Sequence, residues 1–343
     1  MPSPEQALDG RARRGLPALL GVVLSVGLLA WALRGVSPHV VWQQIRAAHP
    51  LPLLLAVVLA TLTFPLRLVR WRLLLPQPGG APYAARPLWH AIALGFMANN
   101  ILPLRAGELI RSYTASRLAQ IRFSTVLSSV AVERIFDALT LVALLSVALV
   151  FSNLPPGLTI GGSSVAHLAK LAGIAGGIAL LGGLLVLALP RQAERLVRRL
   201  IPRPQLADRI VSVIEGVGEG LAVLHSPGRL IMVLFWSLVL WNVNALAFYV
   251  AFGAFGIAVS YWGALLVQGL LVLGISVPST PGFFGVFEAV VVAALALFDI
   301  PRDLAFSYAI SYHLTSFVPI TLLGLWSLTR TPDALRGIPS SQV

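Results

Sequence analysis

The chain of 343 residues is 57% hydrophobic and only 11% charged, whereas soluble globular proteins carry about 25% charged residues. This composition excludes an ordinary water-facing surface and predicts an integral membrane protein. The formal net charge of +12 does not indicate nucleic-acid binding, because the arginines lie mostly between apolar stretches, as in membrane-flanking loops. The sequence has no cysteine, which excludes disulfides and thiolate chemistry in it.

Six apolar stretches have about the 20 residues that a helix needs to cross a bilayer. They are 16–34, 51–69, 124–151, 165–189, 229–256 and 304–328. The first stretch follows a basic segment, 1–15, and is longer than a signal-peptide core, so we interpret it as an uncleaved span. The expected fold class is an all-α polytopic membrane protein with six spanning helices.

Basic residues set the expected orientation. They are concentrated in 67–86, 105–122 and 191–209 and near the tail 331–343, whereas 152–165 and 257–263 have no charged residue. The positive-inside rule then places both termini in the cytoplasm, for a multi-pass protein of the cell membrane. Residues 190–228 carry apolar side chains at helical spacing and predict an amphipathic linker on the cytoplasmic leaflet.

Two further apolar stretches, 88–104 and 262–298, are interrupted by helix-breaking residues. The predicted orientation puts both flanks of each stretch on one side of the membrane, so both are expected to be re-entrant hairpins. The repeat halves, about 51–151 and 229–328, then have the same layout with opposite topology. Such inverted repeats are typical of transporters, whose substrate sites form where the broken helices meet.

Span 124–151 contains Glu133, Arg134 and Asp137. Charges inside a bilayer are costly and usually functional or paired. Glu133 and Asp137 share a helical face because they are four residues apart. Two interpretations stay open here: Arg134 contacts an anionic headgroup in a polar cavity, or Arg134 and Asp137 form a structural pair.

The first broken stretch ends in a polar segment that is a candidate phosphate site. Asn99 and Asn100 can satisfy freed backbone groups at the hairpin tip, and Gly107 permits close approach of the backbone to a ligand. Arg105 offers a bidentate guanidinium, with Glu108 and Arg111 nearby. The alternative is an ordinary basic cytoplasmic loop.

The second break supplies the remaining candidate residues. Pro281, Gly282 and Gly285 interrupt the helix, and Glu288 follows on an otherwise apolar segment. A carboxylate in such a segment takes up a proton or meets a partner across the fold, and Arg105 or Arg134 is the expected partner. His313 in the last span is a lone imidazole, which in membranes is more often a hydrogen-bonded structural residue than a ligand.

Three segments resemble, in this order, the signature of a known family: GFMANNILPLRAGE at 95–108, VERIFD at 132–137 and PSTPGFFGVFE at 278–288. Together they are similar to the membrane domain of the lysylphosphatidylglycerol synthase/flippase family, over residues 16–330. Full-length members carry a cytoplasmic aminoacyl-transferase domain that attaches lysine to phosphatidylglycerol, and the membrane part moves the product across the bilayer. The resemblance therefore implies lipid translocation.

We expect a lipid flippase that moves a phospholipid, an aminoacyl-phospholipid or a polyprenyl-linked lipid, and not an enzyme. The expected partners are anionic lipid headgroups, with a second copy or a separate lipid-modifying enzyme as further candidates, and no cofactor, metal or nucleic acid is expected. No phosphate-binding nucleotide loop is visible. The alternatives are an intramembrane lipid-linked transferase that uses Glu133 and Asp137 as acid and base, and a scaffold for a separate lipid synthase.

Overall fold

A computed structural model describes residues 21–76, 81–102, 106–155, 159–160, 163–188, 195, 198–199, 226–276 and 280–332, with only the backbone for 179–188. Most of the predicted amphipathic linker 190–228, the candidate Arg105 and nearly all of the tail therefore lie outside the described residues. Within the described ranges the fold is all-α apart from a two-stranded ribbon, Thr159–Ile160 with Ser163–Ser164.

The helices follow one another as α1 Gly21–Leu33, α2 Pro38–Ala47, α3 Pro50–Leu74, α4 Ala85–Ile101, α5 Gly107–Ala119, α6 Phe123–Phe151, α7 Val165–Ala188, α8 Pro227–Ala254, α9 Tyr261–Gly274, α10 Val286–Ala296 and α11 Arg302–Arg330. A short 3₁₀ turn, Pro281–Phe283, lies between α9 and α10. Among the described residues, α3, α6, α8 and α11 are each long and apolar enough to cross a membrane, and α1 and α2 form a further pair bent by 81°. The prediction of an all-α polytopic membrane protein is confirmed.

Both predicted hairpins are helix–break–helix structures, but the first has different limits from those expected. Its first arm, α4, runs unbroken through Ala85–Ile101, and its second arm is α5, which the sequence analysis placed in a basic loop at 105–122. The polar residues of α5 hid it from a hydropathy criterion, although Arg111 and Ser112 are buried against neighbouring helices. In the second hairpin, α9 begins and α10 ends within two residues of the predicted limits, 262 and 298.

The helices form two units, α3–α6 and α8–α11, that have the same pattern of helix contacts. In this correspondence α3 matches α8, α4 matches α9 and α6 matches α11, and α3 packs directly on α8. The contact between α4 and α11 matches the contact between α9 and α6. The contact between α3 and α11 likewise matches the contact between α8 and α6. Each unit has its own hydrophobic core, with the second core also covered by α1 and α2. The order of the helices and their contacts therefore repeat once along the chain.

The first helices of the two units, α3 and α8, run in opposite directions. His49 N–H donates to the Ala254 carbonyl oxygen (2.9 Å), at the start of α3 and the end of α8. Arg229, at the start of α8, donates to the Leu75 carbonyl oxygen (2.9 Å), just beyond the end of α3. A rotation that exchanges two antiparallel helices has its axis perpendicular to them, which is the geometry of an inverted repeat.

Candidate functional site

The first hairpin is closed by side chains that the sequence analysis selected. Asn99 Oδ1 accepts a hydrogen bond from Gly107 N–H (2.9 Å), so it satisfies a free donor at the start of α5. A Cβ on Gly107 would collide with the carbonyl oxygen of Gly95 and with the Asn99 side chain. Gly107 therefore permits the close approach of α5 to α4, whereas the sequence analysis had assigned that approach to a ligand.

Asn100 joins the tip of the first hairpin to the last helix. Its Nδ2 donates to Thr321 Oγ1 (3.0 Å) and to the Phe317 carbonyl oxygen (3.3 Å) in α11. The Asn100 carbonyl oxygen also lies beside Gly282, where an added Cβ would approach it to 3.2 Å. The two hairpin breaks therefore meet in the fold, as expected for broken helices in an inverted repeat.

Buried ion pairs join three helices behind these tips, and Glu133 is at their centre. This carboxylate has no exposed surface. It accepts two hydrogen bonds from Arg111 (3.0 and 2.8 Å) and one from Arg134 (2.6 Å), and Arg70 Nη2 lies 3.3 Å from it. Three cations from α3, α5 and α6 therefore share one carboxylate.

Asp137, one turn further along α6, shares Arg70 and Arg134 with Glu133 and also contacts α8. Its Oδ1 accepts hydrogen bonds from Arg70 Nη1 (2.6 Å) and from Trp241 Nε1 (3.0 Å), and its Oδ2 lies 3.0 Å from Arg134 Nη2. The predicted Arg134–Asp137 pair is therefore present. Arg70 also donates to Ser237 Oγ (3.1 Å) in α8, so the cluster connects the two units.

The sequence analysis missed Arg67 and Arg70 as site residues because it placed both in a cytoplasmic loop. Both are buried on α3, which continues past residue 69 to Leu74. One signal could have identified them: residues 66–74 contain no glycine, proline or asparagine to end the helix, so the two arginines share a face at i and i+3.

A cavity of about 350 Å³ opens between the hairpin tips and this cluster. It brings together most of the predicted residues of the first half with residues of the second. Its lining includes Arg67, Phe96, Asn99, Asn100, Glu108, Arg111, Arg134, Asp137, Trp241, Ile275, Ser276 and Phe283. Arg134 is the most accessible guanidinium of the cluster, with 39% of its side chain exposed, and lies 3.8 Å from Glu108. Glu133 is not part of this lining.

Glu288 and His313 form a separate cluster behind the second break. His313 Nδ1 lies 2.7 Å from Glu288 Oε1, and its Nε2 lies 2.8 Å from the Gly282 carbonyl oxygen. Glu288 Oε2 accepts the N–H of Gly285 (2.6 Å). The described partner of Glu288 is therefore the imidazole of His313 in α11 and not Arg134, whereas Arg105, the other expected partner, lies outside the described residues.

This second cluster fixes the turn that carries Phe283 into the cavity lining. Gly282 and Gly285 have φ of 68° and 88°, which glycine adopts at low cost. Phe283 between them has φ of 63°, a conformation that costs a bulky residue about 1–3 kcal/mol. The bonds that Glu288 and His313 make to Gly285 and Gly282 hold the turn in this shape, while Pro281 begins it.

Comparison with known proteins gives relatives of several descriptions. The family described as "Lysylphosphatidylglycerol synthase TM region" matches residues 18–324. Two UPF0104 membrane proteins of Methanothermobacter thermautotrophicus are 25% and 23% identical to the chain, over 90% and 89% of it and over 88% and 90% of their own lengths.

A third relative has a name that refers to an enzyme. Glycosyltransferase AglD of Haloferax volcanii is 28% identical over 83% of the chain, and the chain spans only 50% of AglD. The other half of AglD therefore lies outside the alignment with this chain. Since the family match covers most of the sequence and includes all three motifs, the chain belongs to the lysylphosphatidylglycerol synthase transmembrane-region family.

Proposed function

We propose that the chain moves an anionic lipid across the cell membrane and that the cavity between the hairpin tips receives the phosphate of its headgroup. The observation that carries this proposal is Arg67. Its side chain is 7% exposed, its Nε has no hydrogen-bond partner, and no described carboxylate forms an ion pair with it. It lies over the Phe96 ring, 4.8 Å from the centroid.

An unpartnered guanidinium away from water is costly, because buried charges are normally paired and hydrogen-bonded. A phosphate oxygen entering the cavity would supply the missing acceptors, since arginine binds phosphate through its planar fork of donors. Binding of the phosphate would then be more favourable, because it removes the desolvation cost of the unpaired Arg67 guanidinium.

The charge balance of the cavity supports the same proposal. Among the described residues, four arginines meet three carboxylates around it, and these side chains together have a formal charge of +1. The arginines are Arg67, Arg70, Arg111 and Arg134, and the carboxylates are Glu108, Glu133 and Asp137. One phosphodiester would neutralise the site. Glu108, about one third exposed, is placed to contact the ammonium group of an aminoacyl headgroup.

The size of the cavity supports entry of the headgroup alone. A volume of about 350 Å³ lies near the lower end of the 300–1,000 Å³ that small-molecule sites occupy. The acyl or polyprenyl chains would therefore stay in the bilayer while the headgroup crosses.

In this proposal the cytoplasmic orientation of both termini follows from the arginines that remain outside the core, including Arg72, Arg86 and Arg122.

A lipid-linked transferase is the second candidate, and the name of AglD favours it. In that mechanism Glu133 and Asp137 would act as acid and base. The ion pairs argue against these roles, because each carboxylate is bound by at least two arginines and Glu133 does not line the cavity.

The test is transport by the purified protein in liposomes with a fluorescent phosphatidylglycerol whose inner-leaflet copies are protected from a membrane-impermeant quencher. Arg67→Gln should slow movement about 10- to 150-fold, the range for one hydrogen bond to a charged group. Arg122→Gln, an exposed arginine before α6, is the matched control. Normal movement with Arg67→Gln would refute the site. Transfer of sugar to a lipid carrier without lipid movement would favour the transferase.

A further inference from the structure

A second concave surface, the outer groove, lies at the other end of α4. It has a volume of about 500 Å³ and lies between α3, α4 and α11, with a lining that includes Leu68, Arg86, Trp89, His90, Trp326 and Arg330. His90 and Asn99 are about 14 Å apart along α4, at about 1.5 Å per residue. The outer groove therefore shares α3 and α4 with the cavity but none of its lining residues.

The charged part of the outer groove is cationic. Arg86 and Arg330 are exposed, belong to different helices and both act electrostatically on the His90 ring between them. No carboxylate belongs to the described lining of the groove. Arg330 lies over the Trp326 ring at 5.8 Å, which keeps its guanidinium at the rim of the groove. An anionic group placed between the two arginines would contact both.

His90 gives an independent indication of a polar ligand. The residue is 4% exposed, and its Nδ1 is buried without a hydrogen-bond partner. Neither ring nitrogen is bonded to any described residue, although the ring lies 5.6 Å from that of Trp326. The other ring nitrogen, Nε2, is not enclosed by protein in this way, so it can donate a hydrogen bond to an acceptor oxygen in the groove.

The rest of the lining is apolar and aromatic. Leu68, Trp89 and Trp326 provide a surface for hydrocarbon, and tryptophan is enriched where membranes meet water. Arginines beside such rings match the boundary between a lipid phosphate and its acyl chains. A soluble phosphate would leave these large apolar side chains without a contact.

We propose that the outer groove binds one anionic phospholipid, with its phosphate between Arg86, His90 and Arg330 and an acyl chain along Trp89 and Trp326. This lipid joins α4 to α11 at the membrane surface and occupies a site distinct from the cavity. The proposal does not depend on transport, because it concerns a resident lipid and residues that do not line the cavity.

The test is the affinity of the purified protein for phosphatidylglycerol, added to protein in a neutral detergent and followed by native mass spectrometry. Arg86→Gln combined with Arg330→Gln should weaken the binding of the tightest lipid about 30-fold, because each basic residue near a lipid surface changes affinity about five- to sixfold. The matched control, Arg117→Gln with Arg122→Gln, removes two exposed arginines elsewhere and should change affinity less than about 3-fold.

A second variant, His90→Phe, keeps a ring in the groove and removes the hydrogen-bonding nitrogens. We expect about 10-fold weaker binding, which decides the matter if the double variant does not fold. Wild-type affinity in either variant, or equal affinity for phosphatidylcholine, would overturn the proposal. Competition by soluble glycerol phosphate at equal concentration would show a soluble-phosphate site. Loss of the tightest lipid with Arg67→Gln alone would assign that lipid to the cavity.

Discussion

Arg67 and Arg70 provide a paired test of the buried charge cluster, because they have the same side chain on the same buried face of α3. Arg70 has two carboxylates and a serine as partners, whereas no described carboxylate forms an ion pair with Arg67. Replacing each residue by methionine keeps much of the side-chain volume and removes the charge. The two substitutions should therefore have different effects on stability.

Arg70→Met breaks buried ion pairs on one side only, a change that costs about 3–5 kcal/mol. We expect the lower end of that range, because Glu133 keeps Arg111 and Arg134, and Asp137 keeps Trp241. Arg67→Met removes a desolvated cation and loses a cation–π contact worth about 0.5–2 kcal/mol. The gain and the loss are of similar size, so the net change should be within about 1 kcal/mol.

Reversible unfolding in mixed micelles of a mild detergent and dodecyl sulfate measures both free energies of unfolding. Equal losses in the two variants would refute the assignment of Arg67 as the uncompensated charge. A loss of less than about 1 kcal/mol for Arg70→Met would show that its ion pairs only balance their desolvation cost. Transport should fail in Arg67→Met despite its wild-type stability, which separates the role of this arginine in binding from a role in folding.

Three further outcomes are expected. Gly107→Ala should prevent α5 from packing on α4 and reduce the yield of folded protein in size-exclusion chromatography. The control Gly177→Ala should keep the wild-type yield, because an added Cβ there meets nothing within 4 Å. A normal yield for Gly107→Ala would contradict the close approach of α5 to α4. Glu288→Leu should lower the free energy of unfolding by about 2–4 kcal/mol, because it leaves the Gly285 N–H and the imidazole unsatisfied. Glu288→Gln keeps an acceptor oxygen and should lower the free energy of unfolding by less. A larger loss of stability in Glu288→Gln than in Glu288→Leu would contradict the hydrogen-bonded role of Glu288. Single cysteines at 95–100 and at 279–284 should react with impermeant maleimides from opposite sides of the membrane, and labelling of both from one side would contradict an inverted topology.

The long spans could be predicted because local composition decides them. Helices α3, α6, α8 and α11 each contain an apolar window of at least 18 residues, and no distant partner is needed to recognise it. The second hairpin was predicted for a similar reason, since Pro281 and Gly282 interrupt an apolar run. An apolar span and a helix break each depend on residues that are close together in the sequence, so both can be recognised without knowledge of the fold.

The composition of the site could be predicted only in part, because its charges are balanced across the fold. A hydropathy criterion treats Arg70 and Arg111 as water-facing, yet each is neutralised by a carboxylate of α6. The sequence separation between Arg70 and Asp137 is 67 residues, so a local pattern does not show the pairing. For the same reason the sequence does not show that Glu288 contacts His313, because His313 lies on another helix.

The separation of these ion pairs along the chain has a consequence for biogenesis. A nascent chain that has reached residue 122 contains α3 with both arginines but has not yet presented Glu133 or Asp137. An unpaired arginine costs about 2.5–3.5 kcal/mol at the bilayer centre on insertion scales and less near the end of a helix, where it can reach the interface. Both arginines lie in the last turns of α3, so we expect this end of α3 to stay at the membrane surface, or within the insertion machinery, until α6 arrives. Synthesis of α6 is therefore the step at which the first unit can settle into the bilayer.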